Sequence, residues 1–364
     1  MLKRNDGLIN GRGLGMPGSA IDCGAAQIAE DNAAFIAALV AQGVQNPSLP
    51  PNPPFETHPY RDLLPLQNYE KYIIGTFPPI SYVLDNPTVL AAGIHSLSQP
   101  LGAGGRQIEA PKIPFYHGNV GSMWDFLLTQ EERNELCEQP RNAKREWLIA
   151  YLTGTHINYA DIIDSTQRNL NQENRYNGGD ENLNNICPNT SLIFQLLSNK
   201  NVNLVLFNTS SIFGNAGIIL SEGALIDVTK KTKAFDLFVR TCQELGLGIQ
   251  IRIPFGAPLI TFPWTDIQAL QLQQRKTKVV FEMRVYNPTT NEKIECGLNP
   301  GEERSFTVIT PFSPAAVNRG RTRDNEVVSS WLLANPDQTP RNLLSLLYQS
   351  FRLNDFHGLY DLNV

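Results

Sequence analysis

Two turns that lie far apart in the chain hold residues whose types could bind a ligand or carry chemistry. The first follows an apolar run at residues 72–74 and consists of Gly75, Thr76, Phe77 and Pro78. The second follows a β-branched run at residues 307–309 and contains Phe312, Ser313 and Pro314. Each run predicts a central strand, and open α/β sheets build ligand sites at the carboxyl ends of such strands. The pair therefore predicts one site assembled from both ends of a domain.

Two segments between these turns supply further polar and aromatic groups. A Gly-rich loop before a predicted helix contains Tyr116, His117 and Asn119. A predicted short strand at residues 157–168 ends in polar residues that include Asp161 and Asp164. These side chains are the remaining candidates for a site.

The elements that would position these residues alternate between strand and helix. Residues 1–62 predict an extension, in which a helix at residues 27–44 is followed by a proline-rich connector at residues 47–54. Residues 63–364 predict a single α/β domain whose central sheet is mainly parallel and flanked by helices.

Residues of about 215–305 exceed what a minimal α/β domain needs, so we interpret them as an insertion. This segment predicts a helix at residues 234–245 and a β-hairpin that runs along residues 278–286 and returns through Ile294 and Cys296. A last helix is predicted to begin at Thr339 and Pro340.

Composition limits the class of protein. The formal charge of −5 excludes a generically basic nucleic-acid-binding protein, but it permits an enzyme with a local basic patch. Five cysteines occur singly, which indicates neither a disulfide framework nor a zinc site and fits a reducing cytoplasm. No run approaches about 18 apolar residues, and no apolar stretch follows the charged amino terminus. We therefore expect a cytoplasmic protein without a membrane span or secretory signal.

The order of the motifs resembles that of the uracil-DNA glycosylase superfamily, most closely its mismatch-specific and hypoxanthine-excising branches. The resemblance covers roughly residues 70–350 and rests on four segments, which are residues 75–79, 116–124, 161–168 with 180–183, and 313–316. It implies a uracil-DNA glycosylase-like fold and a monofunctional DNA glycosylase. Such an enzyme flips a base out of DNA and hydrolyses its N-glycosidic bond, with no metal and no nucleotide cofactor.

The resemblance does not single out the group that positions the attacking water. Phe77 stands where many relatives have an Asn or Asp with that role. Asn119 lies two residues from the position of the corresponding Asn in the hypoxanthine branch, which Gly121 occupies here. The water-positioning group therefore stays open among Asn119, Asp161 and Asp164.

The resemblance also implies substrate contacts. Phe77 or Tyr116 would hold the flipped base, His117 could face a base carbonyl, and Gly75, Thr76 and Pro78 would form the turn around it. The loop at Ser313 and Pro314 would hold a DNA phosphate, while Phe312 or Val317 would fill the gap left in the duplex. The positive charge that binds the DNA backbone would come from Arg319, Arg321 and Arg323.

Three alternatives remain open at this point. The enzyme could excise hypermodified pyrimidines from viral DNA as a defence, or it could be a catalytically inactive relative that only binds nucleic acid. An unrelated α/β hydrolase is disfavoured because the chain has no G-x-S-x-G motif. No lysine is convincingly placed for a lyase step, and we expect a monomer.

Overall fold

A computed structural model describes residues 55–60, 69–78, 82, 113, 115–116, 123–168, 183–208, 234–253, 257–262, 280–288, 297–312, 326–356 and 359. Within these residues the chain forms a mixed α/β fold in which helices flank a seven-stranded sheet. The strands are β1 Phe55–Thr57, β2 Lys71–Gly75, β3 Ile157–Asp161, β4 Ile163–Arg168, β5 Leu183–Pro188, β6 Leu204–Phe207, β7 Gly248–Arg252, β8 Ile260–Thr261, β9 Val280–Tyr286 and β10 Glu303–Ile309.

The described helices begin after the aromatic loop that sequence analysis singled out. They are α1 Trp124–Leu127, α2 Gln130–Glu138, α3 Lys144–Gly154, α4 Thr190–Ser198, α5 Ala234–Glu244, α6 Glu326–Ala334 and α7 Pro340–Leu353. Thr129 and Thr339 each accept a hydrogen bond from the main-chain N–H three residues on, which completes the capping boxes of α2 and α7. The helix start predicted at Thr339 and Pro340 is confirmed.

The seven-stranded sheet has the order β3-β2-β6-β10-β9-β7-β8 and is mixed. The first four strands are parallel to their neighbours, whereas β10, β9, β7 and β8 pair antiparallel. The prediction of a mainly parallel sheet is therefore right for one half and wrong for the other. One reason is local: β9 and β10 follow each other among the described strands and pair directly, and strands that are close in sequence favour antiparallel pairing because a parallel pair needs a long crossover.

β9 belongs to the hairpin that sequence analysis assigned to the insertion. Its hydrogen-bonded partner along the chain is β10, with Val280 opposite Ile309 and Tyr286 opposite Glu303, while the predicted return residues Ile294 and Cys296 lie outside the described part. On its other side β9 pairs with β7. Both strands are thus integral members of the main sheet.

A second, three-stranded sheet has the order β1-β4-β5 and is antiparallel. The chain passes from the large sheet to this small one at Ile162, between β3 and β4. Residues 55–57, which belong to the predicted extension of residues 1–62, form β1 and pair with β4 of this small sheet. The predicted helix at 27–44 and the connector at 47–54 lie outside the described residues.

Two apolar layers cover the large sheet. On β2, Tyr72 and Ile74 pack with buried residues of α4 and α5, whereas Ile73 packs on the other face with buried residues of the remaining helices. This alternation follows from the two-residue period of a strand. No helix in the described part of the chain is long and apolar enough to cross a membrane.

Arg304 of β10 ties the carboxyl end of α4 to the sheet. Its guanidinium donates hydrogen bonds to the main-chain oxygens of Leu197 (3.1 Å), Asn199 (2.9 Å) and Val202 (2.6 Å). These carbonyls belong to the end of a helix and the connection after it, where intrahelical partners are lacking. A single charged side chain therefore fixes one end of α4.

We expect Arg304→Met to lower the free energy of unfolding by about 2 kcal/mol or more, since hydrogen bonds from a charged donor contribute about 1.5–3 kcal/mol. Urea denaturation measures this loss. Arg240→Met is the matched control, because the ion pair that Arg240 forms with Glu244, one turn away on α5, lies at the protein surface. Its loss should cost less than about 0.5 kcal/mol. Equal losses in the two variants would contradict the assignment.

Candidate functional site

A cavity of about 480 Å³ lies beside the carboxyl ends of β2 and β3. Residues of both sheets, of the start of α4 and of the segment after β1 form its wall. The lining residues are His58, Tyr72, Tyr116, Ala160, Asp161, Asp164, Pro188, Asn189, Thr190, Ser191 and Gln195. Three of the predicted site residues, Tyr116, Asp161 and Asp164, thus line one cavity.

The carboxylate of Asp161 is buried at the end of β3 and is held by His58. His58 Nε2 lies 2.9 Å from Asp161 Oδ2, and the two side chains are 3% and 0% exposed. His58 Nδ1 accepts a hydrogen bond from the main-chain N–H of Tyr60 at 3.1 Å. Since Nδ1 accepts, the ring proton resides on Nε2, and His58 donates to Asp161.

Gly75 gives the Asp161 carboxylate its space. The two residues are directly opposite each other in the parallel pair of β2 and β3. A Cβ atom added to Gly75 would lie 2.1 Å from Asp161 Oδ1 and 2.8 Å from the Tyr159 hydroxyl. Oδ1 itself accepts no hydrogen bond from the described residues. The glycine of the first predicted turn therefore serves to admit a carboxylate.

Asp164 is the second carboxylate of the cavity, and it is only partly buried. Its main-chain oxygen accepts a hydrogen bond from the N–H of His58 at 2.8 Å. His58 is thus bonded to both aspartates, through its side chain to Asp161 and through its backbone to Asp164. Of the two carboxylates, Asp164 has the better access to water from the cavity.

Tyr116 forms an aromatic wall of the cavity together with its neighbours. Its ring centroid lies 3.9 Å from that of Tyr159 and 5.4 Å from that of His58. Its backbone has a φ of 24°, which is uncommon for a residue with a side chain, and its carbonyl accepts a hydrogen bond from Trp124 Nε1 at 2.8 Å. A strained residue held this firmly beside a cavity is typical of functional sites.

The tyrosines of this region are kept neutral. Burial, followed by the negative charge of Asp161, raises the pKa of both Tyr116 and Tyr159 well above the usual tyrosine value. Burial, followed by nearby Tyr69, does the same to the pKa of Tyr72. Their hydroxyls therefore remain protonated across the working pH range and can donate hydrogen bonds.

A further part of the cavity wall comes from the start of α4 and the residue before it. Asn189 caps this helix by accepting from the N–H of Leu192 at 3.2 Å, and its Nδ2 donates to the main-chain oxygen of Asp161 at 3.1 Å. The amino terminus of α4 adds positive potential to the cavity through its helix dipole. Gln195, one turn further on, accepts a hydrogen bond from the Tyr72 hydroxyl at 3.1 Å, which leaves its Nε2 group as a donor on this wall.

The other residues of the first turn are packed rather than exposed. Phe77 is 2% exposed, belongs to the core and lies edge-on to the His58 ring, with centroids 5.6 Å apart. Thr76 is 6% exposed, and Pro78 is also buried. Phe77 therefore supports the His58 ring from behind.

The second turn reaches the same edge of the sheet, because β2, β6 and β10 run parallel. Phe312 is 4% exposed and packs among the helices of the second layer, which favours a role in the core over insertion into a duplex. The described residues of this turn do not line the cavity. The remaining predicted site residues lie outside the described part of the chain; they are His117, Asn119, Ser313, Pro314, Arg319, Arg321 and Arg323.

Sequence reasoning missed His58, Asn189 and Gln195. His58 follows a strand of three residues and sits next to the proline-rich connector, so no local pattern distinguishes it. Asn189 carries the signal of a helix-capping residue, which predicts a helix start but not a cavity. No family model, curated protein or solved structure matches this chain.

We expect Gly75→Ala to destabilise the protein by about 1–3 kcal/mol, since the added methyl group must displace the buried Asp161 carboxylate. Gly154→Ala is the control, because a Cβ there meets nothing within 4 Å and alanine is favoured over glycine in a helix. Chemical denaturation of both variants checks this. If Gly75→Ala leaves the free energy of unfolding unchanged, the Asp161 carboxylate is not packed against β2.

A second prediction concerns alkaline pH. Because the pKa values of Tyr72, Tyr116 and Tyr159 are raised by folding, the unfolded chain loses protons near pH 10 that the folded chain retains. The stability contribution of these groups is therefore complete below pH 10 and falls above it by about 1.4 kcal/mol per pH unit for each tyrosine. The free energy of unfolding should be measured across this pH range for the natural chain and for Tyr116→Phe. Above pH 10 it should fall less steeply in Tyr116→Phe, by about 1.4 kcal/mol per pH unit. Parallel curves for the two proteins would contradict the prediction.

Proposed function

We propose that this protein is a monofunctional DNA glycosylase that hydrolyses the N-glycosidic bond of a flipped nucleotide in the cavity beside β2 and β3. The observation that carries the proposal is the meeting of Asp161, Asp164 and Tyr116 in one cavity. These residues come from two of the four segments on which the resemblance to the uracil-DNA glycosylase superfamily rests. We also propose that the α/β fold is uracil-DNA glycosylase-like.

The size and lining of the cavity support a base as the ligand. Small-molecule sites have volumes of about 300–1,000 Å³, and this cavity of about 480 Å³ is within that range. Tyr116 offers an aromatic surface for stacking, while Gln195 and the α4 terminus offer polar groups for the edge of a base. Extruding the base from DNA costs a few kcal/mol, which such contacts would offset.

The reaction needs charge stabilisation and a positioned water. As the bond between C1′ and the base nitrogen breaks, its electron pair stays on the base and the sugar acquires oxocarbenium character. Water adds to C1′ and gives a proton to a carboxylate, and the departing base anion takes up a proton from solvent. The products are the free base and an abasic site.

The two carboxylates would divide this work. Asp164, the partly exposed one, would orient the water and accept its proton. Asp161, fully buried among aromatic rings, would stabilise the positive charge that develops on the sugar. A fixed negative charge acts strongly in such a water-poor environment.

We propose a cytoplasmic enzyme with DNA as its partner, acting in repair or in defence against modified viral DNA. The described cysteines Cys137, Cys187 and Cys242 are free thiols, which fits a reducing compartment.

Base release from a panel of oligonucleotides tests the function. Single- and double-stranded DNA would carry uracil, hypoxanthine, mismatched thymine or glucosylated hydroxymethylcytosine, and strand breakage at abasic sites would report excision. We expect release from one member and a fall in its single-turnover rate of about 10²–10⁴-fold in Asp164→Asn. Asp161→Asn should also reduce the rate, whereas Asp337→Asn, on an exposed loop, should not.

Two results would count against the proposal. DNA binding without any base release would indicate an inactive nucleic-acid-binding relative. Base release that survives both Asp161→Asn and Asp164→Asn would mean that the reaction uses another site.

A further inference from the structure

His58 has the position of a residue that organises the site rather than reacting in it. One ring nitrogen donates to Asp161 and the other accepts from Tyr60, so the described contacts occupy both hydrogen-bonding positions of the imidazole. A histidine in that state has no lone pair left with which to take a proton from water. Its function must therefore be exerted through the groups it holds.

We propose that His58 is a positioning residue that fixes both cavity aspartates relative to each other. Its Nε2–H aims the Asp161 carboxylate, and its main-chain N–H holds the backbone at Asp164. Because Asp161 belongs to the seven-stranded sheet and Asp164 to the three-stranded sheet, this one residue also ties the two sheets together at the cavity. The functional part of this inference rests on the proposed function; the structural part does not.

Several contacts hold His58 itself in place. β1 pairs with β4 up to Thr57, opposite Ser165, so the backbone delivers His58 at a set position. The ring lies between Phe77 and Tyr116, at centroid distances of 5.6 Å and 5.4 Å. A side chain confined in this way loses little further freedom in the reaction, which is what preorganised sites require.

The hydrogen bond from His58 matters because the Asp161 carboxylate has no other hydrogen-bond partner among the described residues. Among the described residues its Oδ1 has no hydrogen-bond partner, and Oδ2 is bonded to His58. Removing the histidine donor would leave a buried carboxylate unpaired, which is strongly unfavourable. The carboxylate would then rotate or admit water, and either change would alter its action on the substrate.

His58 also lies outside the region in which the family resemblance was found, which begins at about residue 70. The site is therefore completed by a segment that precedes the first shared motif. The described neighbours of Asp161 that carry titratable groups are His58, Tyr116, Tyr159 and Asp164. Both tyrosines stay neutral, and among these four groups His58 is the one whose side chain is hydrogen-bonded to this carboxylate.

The first test needs no activity. ¹⁵N spectra of the ring nitrogens in the full-length, histidine-labelled protein distinguish the two neutral tautomers and the cation. With five histidines in the chain, His58→Gln assigns the signals. We expect a fixed Nε2–H tautomer whose Nε2 signal moves in Asp161→Asn and stays unchanged in Asp337→Asn. A His58 ring that exchanges between tautomers, or that ignores Asp161→Asn, would overturn the inference.

The second test measures base release on the substrate found in the panel. His58→Leu removes the donor, and we expect the single-turnover rate to fall about 10- to 100-fold with little change in DNA affinity. His58→Gln keeps an N–H donor at a similar reach and should recover most of the rate. His156→Asn is the control, because His156 has a φ of 54° that asparagine tolerates and it does not line the cavity.

The outcomes separate the two claims. Equal losses in His58→Leu and His58→Gln, or losses that follow the unfolding free energy, would overturn the positioning role. If no panel member is excised, the proposed function fails, and the ring spectra alone decide whether His58 positions Asp161.

Discussion

The burial of the Asp161 carboxylate is the constraint on which the site depends. One of its oxygens fills the space left by the missing side chain of Gly75, and the other accepts a hydrogen bond from His58. An unpaired charge in this position would cost several kcal/mol. The register of β2 against β3 and the position of the segment after β1 must therefore both be maintained. A shift in either would expose the Asp161 carboxylate or remove its hydrogen bond to His58.

A change of sheet at one residue explains how two carboxylates come to share a cavity. Ile162 separates β3 from β4, and its N–H donates to Gly75 O at 3.0 Å while its carbonyl accepts from Asn189 at 2.7 Å. Asp161 and Asp164 thus lie on opposite sides of a fixed junction and belong to different sheets. The chain turns between them instead of continuing one strand, and the main-chain hydrogen bond from Asn189 to Ile162 brings the start of α4 to the same place.

Aromatic packing gives this junction its electrostatic character. Tyr116, Tyr159 and His58 enclose the carboxylate with rings, and the tyrosine hydroxyls stay neutral because burial and Asp161 raise their pKa. Charges in such surroundings interact more strongly than in water. The same packing that stabilises the fold therefore keeps the Asp161 carboxylate in surroundings where its charge acts strongly, which the proposed reaction would require.

The sequence alone determined the elements with a strong local period. The strands around residues 73 and 308 and the helices α5 and α7 follow from apolar spacing and helix-start residues. Asp161, Asp164 and Tyr116 are candidates from their types and order. Only the tertiary structure decided the antiparallel half of the sheet, because strand direction depends on connections that leave no periodic signal. It also decided the burial of Phe77 and Phe312, which local sequence cannot distinguish from exposed aromatics. His58 meets Asp161 across 103 positions of the chain, and a contact of that separation is set by the packing of two sheets rather than by any neighbouring residue.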